Sequence, residues 1–253
     1  MHHVIRTSLW LFFFAVILMA WAMMYMMSTS MGLDFIGRPS GMMMDMDMMG
    51  MDRFGPLFAM WAIMMAAMML PTMLPTLGNY ERLMVSADGT RVGWIGVLLG
   101  YFIVWVGFAA LIAGVQQGLL AVGAVDALGI ATSKWLSVAL LIVVGAFQFT
   151  RAKEVCHGVC HAPMNYFLAY WRTGFSGGIR MGLALGAFCA GCCWGFMALG
   201  FVGGMMSLLW MGLATFFMVL EKLPQIGHYV TRPLGVALIL GGVGVIAYPF
   251  LAA

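Results

Sequence analysis

The sequence predicts an all-α protein, a polytopic membrane bundle of about seven transmembrane helices with six as the alternative. Of its 253 residues, 64% are hydrophobic and 8% are charged. Soluble domains average about 25% charged residues. The mean hydropathy of +1.01 exceeds what a soluble core of this size can bury. Long apolar runs recur along the chain, each bounded by charges, glycine or proline.

Seven apolar runs are candidate spans. The first follows Arg6 and has no small-residue cleavage site after it, so we interpret it as an uncleaved span rather than a signal peptide. The fourth and sixth runs are short, which keeps a six-span arrangement open. The runs cover residues 9–27, 54–74, 92–115, 135–149, 181–202, 205–220 and 234–251.

The distribution of positive charge predicts the orientation. With the N-terminus in the cytoplasm, nine of the 12 Lys and Arg residues fall inside and three fall outside, as membrane proteins prefer. We therefore expect one multi-pass domain over residues 1–253 in the inner cell membrane, with the lipid bilayer as its partner. Residues 28–53 form an outer loop and residues 151–180 an inner loop. The Lys and Arg residues form no basic cluster, so nothing in the sequence predicts nucleic-acid binding.

The fifth run contains CAGCCW, residues 189–194, with three of the five cysteines. Cys189, Cys192 and Cys193 stand at i, i+3 and i+4, so a helix places all three on one face. Buried thiols are often small apolar side chains and nothing more. Three on one face instead predict a site for a soft metal such as Cu(I) or Zn²⁺. We expect these thiols to face the protein interior, near the end of span four.

A second Cys motif lies in the inner loop, in QFTRAKEVCHGVCHAP, residues 148–163. Cys156 and Cys160 are four residues apart, and so are His157 and His161, so a helix ending before Pro163 would carry both pairs on adjacent faces. Cys and His at this spacing predict metal ligands. The alternatives are a ligand-free loop or a disulfide, and c-type haem attachment is disfavoured because it needs the oxidising side.

Methionine is enriched at two adjacent places. The outer loop has the sequence GMMMDMDMMGMD at residues 41–52, and the second run carries methionines at helical spacing. Thioethers bind Cu(I) without deprotonation. We predict a relay for the metal, with ordinary packing as the alternative. The relay residues are Met42, Met43, Met44, Asp45, Met46, Asp47, Met48, Met49, Met51, Met60, Met64, Met65, Met68, Met69 and Met73.

Two further patterns are interpreted structurally. Glu221 and Lys222 end the sixth run, and we expect an ion pair at the membrane interface. Glycines four residues apart predict close helix packing. These are the pairs Gly96 and Gly100, Gly114 and Gly118, Gly182 and Gly186, and Gly191 and Gly195.

Several of these strings together resemble an uncharacterised bacterial family of predicted metal-binding integral membrane proteins. The strings are MMAAMMLPT (64–72), GYFIVW (100–105), the 148–163 segment, GAFCAGCCW (186–194), MMSLLWM (205–211) and EKLP (221–224). The resemblance covers residues 55–225 and implies a metal role for all five cysteines. It departs at His157 and His161, where the family has leucine and arginine.

We therefore predict a membrane protein that binds copper, with zinc as the alternative metal, and either transports it or delivers it to another protein. Other membrane subunits of a metalloenzyme, or a metallochaperone, are the expected partners. Two other functions remain open. One is a redox enzyme, or an accessory subunit of a membrane metalloenzyme complex, that cycles the Cys189 and Cys192 pair. The other is a structural subunit whose metal staples helices together.

Overall fold

The computed structural model describes residues 2–39, 53–223 and 226–251, and it confirms the all-α class. Eleven helices cover most of these residues, and no named strand occurs among them. The helices are α1 (His2–Ser30), α2 (Phe54–Met69), α3 (Leu74–Ser86), α4 (Arg91–Ala121), α5 (Lys134–Phe147), α6 (Arg151–His161), α7 (Pro163–Tyr170), α8 (Gly174–Ala198), α9 (Gly200–Gly203), α10 (Leu208–Lys222) and α11 (Gly227–Leu251).

Five helical segments of the described chain are long and apolar enough to cross a membrane. A sixth candidate is the pair formed by α5 and α6, which is bent by 64°. The sixth apolar run is also helical, but α10 has 15 residues, whereas a membrane-crossing helix needs about 20. The described helices therefore give five or six candidate spans. The five are Ile5–Ser30, Phe54–Met84, Arg91–Ala121, Gly174–Gly203 and Tyr229–Ala247.

The bundle has two ends, which we name by a residue at each. At the Arg6 end, the Arg6 guanidinium pairs with Glu81 of α3 at 2.8 Å. At the Ser28 end, the Ser28 hydroxyl donates to the carbonyl of Met206 at 3.2 Å. The chain on either side of residues 40–52 therefore joins the bundle at the Ser28 end.

Helices α4 and α8 run parallel and pack closely through glycines. A Cβ atom on Gly178 would collide with the carbonyl of Gly93, and one on Gly182 with the carbonyl of Val97. The absence of side chains lets the two backbones approach, as the glycine spacing predicted. The prediction was wrong for Gly114 and Gly118, because a Cβ atom there would have no neighbour within 4 Å in the part of the chain that the structure describes.

Two helix breaks bring irregular backbone into the core. Proline has no amide hydrogen to donate, so the helix after Met69 gives way to a 3₁₀ turn, Pro71–Met73, before α3 begins. The second break is the bend between α5 and α6, where the Thr150 hydroxyl caps α6 by accepting from the amide of Lys153. The first break places Thr72 in the core, and the second turns α6 against α8.

Candidate metal centre

The three cysteines of α8 form the centre of the site. Their sulfurs are buried, with residue exposures of 0% for Cys189 and 2% each for Cys192 and Cys193. The Cys193 sulfur lies 3.4 Å from that of Cys192 and 3.8 Å from that of Cys189. The prediction that these thiols face the protein interior is confirmed.

A fourth thiol comes from α6. Its helix ends at His161, just before Pro163, as the sequence predicted. The Cys160 sulfur lies 3.8 Å from that of Cys192. The sulfurs of Cys160, Cys189 and Cys192 are all within 4.8 Å of one another. The two Cys motifs, distant in sequence, are therefore neighbours in the core.

The sulfur spacing fits a metal ion. At a metal–sulfur distance of about 2.3 Å, adjacent ligands are about 3.8 Å apart in tetrahedral geometry and about 4.0 Å apart in a trigonal plane. The sulfur–sulfur separations of 3.4 to 3.8 Å along the cluster approach these values. A soft cation can therefore be held here with small side-chain adjustments, since thiolates prefer such ions.

The other residues of the inner motif lie beside this cluster. Cys156 is half-buried and packs near Gly191, where a Cβ atom would lie 2.9 Å from its sulfur. The Nε2 atom of His157 lies 2.7 Å from the carbonyl oxygen of Glu221. The ring of His161 lies 5.4 Å from that of His157, and its buried Nδ1 atom has no hydrogen-bond partner among the described residues. The histidines thus lie together next to α10.

The position of Lys222 shows that the sequence-based interpretation of Glu221 and Lys222 was wrong. We expected an interfacial ion pair with Glu221, but both residues are buried, at 3% and 1% exposure. The Lys222 ammonium donates to the Cys189 sulfur and to the Thr72 hydroxyl, both at 3.0 Å. It also lies 3.5 Å from the Tyr101 hydroxyl. A positive charge therefore lies directly against the thiol cluster.

Tyr101 and Thr72 complete this arrangement. The Tyr101 hydroxyl lies 3.0 Å from the Cys189 sulfur and 3.0 Å from the Thr72 hydroxyl. The Thr72 hydroxyl also donates to the carbonyl of Met69 at 2.7 Å. Four segments, the 3₁₀ turn, α4, α8 and α10, therefore meet at Cys189.

Lys153 is a second buried cation at the cluster. Its ammonium donates to the Cys192 carbonyl at 3.0 Å and pairs with the Glu221 carboxylate at 2.8 Å. Two ammonium groups and one carboxylate thus surround the thiols, an excess of one positive charge. Anionic sulfur can balance this excess, because an unpaired charge is costly in an apolar core.

The residues that sequence analysis missed are Thr72, Tyr101 and Lys153. Lys222 had a signal, because it ends an apolar run and ionisable residues inside apolar bundles often mark functional sites. Lys153 had no such signal, since it lies in a polar segment beside Arg151 and Glu154. Tyr101 and Thr72 lie in the strings GYFIVW and MMAAMMLPT, which carry the family resemblance, but neither residue type by itself predicts a contact with a thiol.

The methionine stripe of α2 is buried. Five of its methionines lie in α2 and a sixth, Met73, lies in the 3₁₀ turn; the exposures of all six are between 0% and 3%. The helix runs from near the Ser28 end, where the Trp61 indole donates to Gln116 at 2.7 Å, to Thr72 beside the cluster. The six are Met60, Met64, Met65, Met68, Met69 and Met73. The other relay residues, Met42 to Met51 with Asp45 and Asp47, lie outside the described residues.

The apolar helices and the buried thiols define a class, a helical protein whose helices could span a membrane and whose core contains a thiol cluster that could hold a metal ion. More particularly, the chain belongs to the PpoB2 family of copper chaperones, whose family model matches residues 58–245. The match includes all five cysteines and both buried lysines. Comparisons with curated proteins and with solved structures give no significant match. The family assignment supports copper-related metal binding.

Proposed function

We propose that this protein is a membrane copper chaperone that holds Cu(I) on buried thiols and passes it to a partner protein. One observation carries the proposal: thiols from α6 and α8 converge, with Cys160, Cys189 and Cys192 within 4.8 Å of one another, in a chain of the copper chaperone family. Cys193 adjoins Cys189 and Cys192.

Copper is favoured over zinc by the surroundings of the cluster. Thiolates bind both metals, but thioethers add affinity for Cu(I) and little for Zn²⁺. The row of buried methionines leads to Thr72, whose hydroxyl donates to the Met69 carbonyl and accepts from Lys222. Lys222 also donates to the Cys189 sulfur. The family assignment points to the same metal.

Uptake would begin at the Ser28 end. In this proposal the Met–Asp segment, residues 41–52, collects Cu(I), and the thioethers of α2 carry it toward Cys189. The direction follows from affinity, since neutral thioethers hold Cu(I) more weakly than thiolates do. Each transfer then moves the ion to a stronger site.

Release would use the remaining residues of the inner motif. Cys156 lies next to α8, and His157 and His161 lie next to α10. In this proposal they receive copper from Cys160 on the same helix and present it to a partner. The partner is a second metallochaperone or a membrane subunit of a copper enzyme.

The orientation is part of the proposal. The nine-to-three distribution of Lys and Arg favours an inner-membrane protein with the Arg6 end in the cytoplasm and residues 28–53 outside. Two of the nine inner charges, Lys153 and Lys222, are buried at the cluster. Without these two lysines, seven Lys and Arg residues lie on the inner side and three on the outer side, so the charge distribution still favours the same orientation.

Proteoliposomes test the proposal. A membrane-impermeant Cu(I) chelator is trapped inside, and buffered Cu(I) is supplied outside without oxygen. We expect the trapped chelator to develop colour faster with the wild-type protein than with the C189S/C192S variant or with protein-free liposomes. If copper binds the protein but never reaches the chelator, the result would instead favour a structural role, in which the metal only holds helices together. Equal rates for wild type and variant would refute a role for the thiols.

A further inference from the structure

Cys193 gives the cluster a second triangle of sulfur atoms. The first triangle is formed by Cys160, Cys189 and Cys192, all within 4.8 Å of one another. The Cys193 sulfur lies 3.8 Å from that of Cys189 and 3.4 Å from that of Cys192. Two thiols, Cys189 and Cys192, belong to both triangles.

We propose that the cluster binds two Cu(I) ions side by side, with Cys189 and Cys192 as bridging thiolates. Cys160 would complete the first ion's three-sulfur site, and Cys193 would complete the second. This inference rests on the proposed copper function and adds the number of ions and their arrangement.

The spacing supports two sites rather than one. A three-coordinate ion at about 2.3 Å from each sulfur needs sulfurs about 4.0 Å apart. Both triangles approach this size, with known edges of 3.8 Å in the first and 3.4 and 3.8 Å in the second. Among the described residues, the Cys193 sulfur makes its hydrogen bonds only to these two thiols, so a metal would displace no other partner.

Binding of the second copper ion leaves the net charge of the thiol cluster unchanged. The first Cu(I) ion forms three copper–sulfur bonds and displaces the protons of Cys160, Cys189 and Cys192. The second ion bonds Cys189, Cys192 and Cys193 and displaces one proton, from Cys193. All displaced protons pass to water, and copper stays in the Cu(I) state. Two Cu(I) ions on four thiolates carry a net charge of −2. A single ion on three thiolates, with the fourth thiol still protonated, carries the same −2. The second ion therefore adds no charge to the core, in which the ammonium groups of Lys153 and Lys222 already lie.

The test is an anaerobic Cu(I) titration of the full-length protein in detergent, in competition with a chromogenic chelator. We expect two tightly bound ions per chain for the wild type and for M26L, the control, because Met26 is exposed on α1. Removing a corner thiol should leave one ion, in both C160S and C193S. Removing the shared thiol, in C192S, should abolish tight binding.

X-ray absorption provides a second readout. A copper–copper scattering contribution should be present in the wild type and absent in C193S. Size-exclusion profiles, together with the C193A variant, check that the fold is retained. A wild type that saturates at one ion, with C193S unchanged, would overturn the two-ion inference and leave the proposed function standing. No tight binding in the wild type would overturn the proposed function itself.

Discussion

The ammonium group of Lys222 lies 3.0 Å from the sulfur of Cys189, although 33 residues separate them in the chain. Both side chains are buried, and the same ammonium donates to Thr72. A charge-assisted hydrogen bond of this kind stabilises a thiolate that would otherwise be costly in an apolar core. Lys222 therefore supports the sulfur that lies at the junction of four segments.

Lys222→Met should weaken Cu(I) binding by roughly 10- to 100-fold, the usual effect of losing a hydrogen bond to a metal ligand. Lys222→Arg keeps the charge and should retain more affinity than the methionine variant. Competition with a Cu(I) chelator measures both. Lys134→Met is the control, because Lys134 is exposed and lies over the ring of Trp135. Equal affinities for Lys222→Met and the control would remove Lys222 from the site.

The buried pair of Lys153 and Glu221 should behave as a unit. Removing one partner leaves an unpaired buried charge, so Lys153→Met and Glu221→Gln should each cost about 3–5 kcal/mol of unfolding free energy. The double variant should cost less than the sum of the two. Denaturant unfolding in one detergent gives the three values.

Arg6→Gln is the matched control for this cycle. It breaks the pair with Glu81, in which the Arg6 side chain is 55% exposed. Exposed ion pairs contribute at most about 1 kcal/mol. Strictly additive costs for Lys153→Met and Glu221→Gln would show that the two side chains do not interact in the folded protein.

The thiol positions could be predicted from the sequence because residue spacing determines which side chains share a face of a single helix. Cys189, Cys192 and Cys193 share a face by helical geometry alone, and Pro163 marks the end of α6. The partners of Cys189 depend on other helices. Tyr101 is 88 residues away, and its contact requires the glycine-mediated approach of α4 to α8. No local pattern contains that information.

The Glu221 and Lys222 prediction failed for a related reason. Adjacent opposite charges at the end of an apolar run resemble an interfacial pair. In the folded chain Glu221 pairs with Lys153, and Lys222 extends toward Thr72 in the 3₁₀ turn. The proline break of α2 and the bend before α6 create these partners, and their three-dimensional consequences were not apparent from the sequence.

Gly182→Ala should disturb the site from a distance. The added Cβ atom would collide with the carbonyl of Val97 and lie 2.9 Å from the amide nitrogen of Tyr101. We expect a lower thermal midpoint and weaker Cu(I) binding, since Tyr101 must move away from Cys189. Gly107→Ala on α4 is the control, because no described residue lies within 4 Å of its added atom. Unchanged stability and affinity in Gly182→Ala would contradict the close α4–α8 contact.

If the methionines of α2 carry copper to the thiols, replacing them should slow copper loading. Met64→Leu/Met68→Leu conserves side-chain volume, so the fold should survive at a cost below about 1.5 kcal/mol per site. Copper loading should be slower at scarce supply, with unchanged final stoichiometry at abundant supply. Replacing Met42 to Met51 by serine and leucine should have the same effect. Met23→Leu/Met26→Leu, at exposed positions of α1, is the control. If both test variants load copper at the wild-type rate, these methionines do not carry copper to the thiols.

The most direct test of a buried copper–thiolate site is metal analysis, with copper-edge X-ray absorption, of protein purified from copper-replete cells without added metal. We expect bound copper in the Cu(I) state with only sulfur neighbours, and we expect it to be lost in the C160S/C189S/C192S variant. Stoichiometric zinc in place of copper, or copper with nitrogen and oxygen neighbours that persists in this variant, would contradict it.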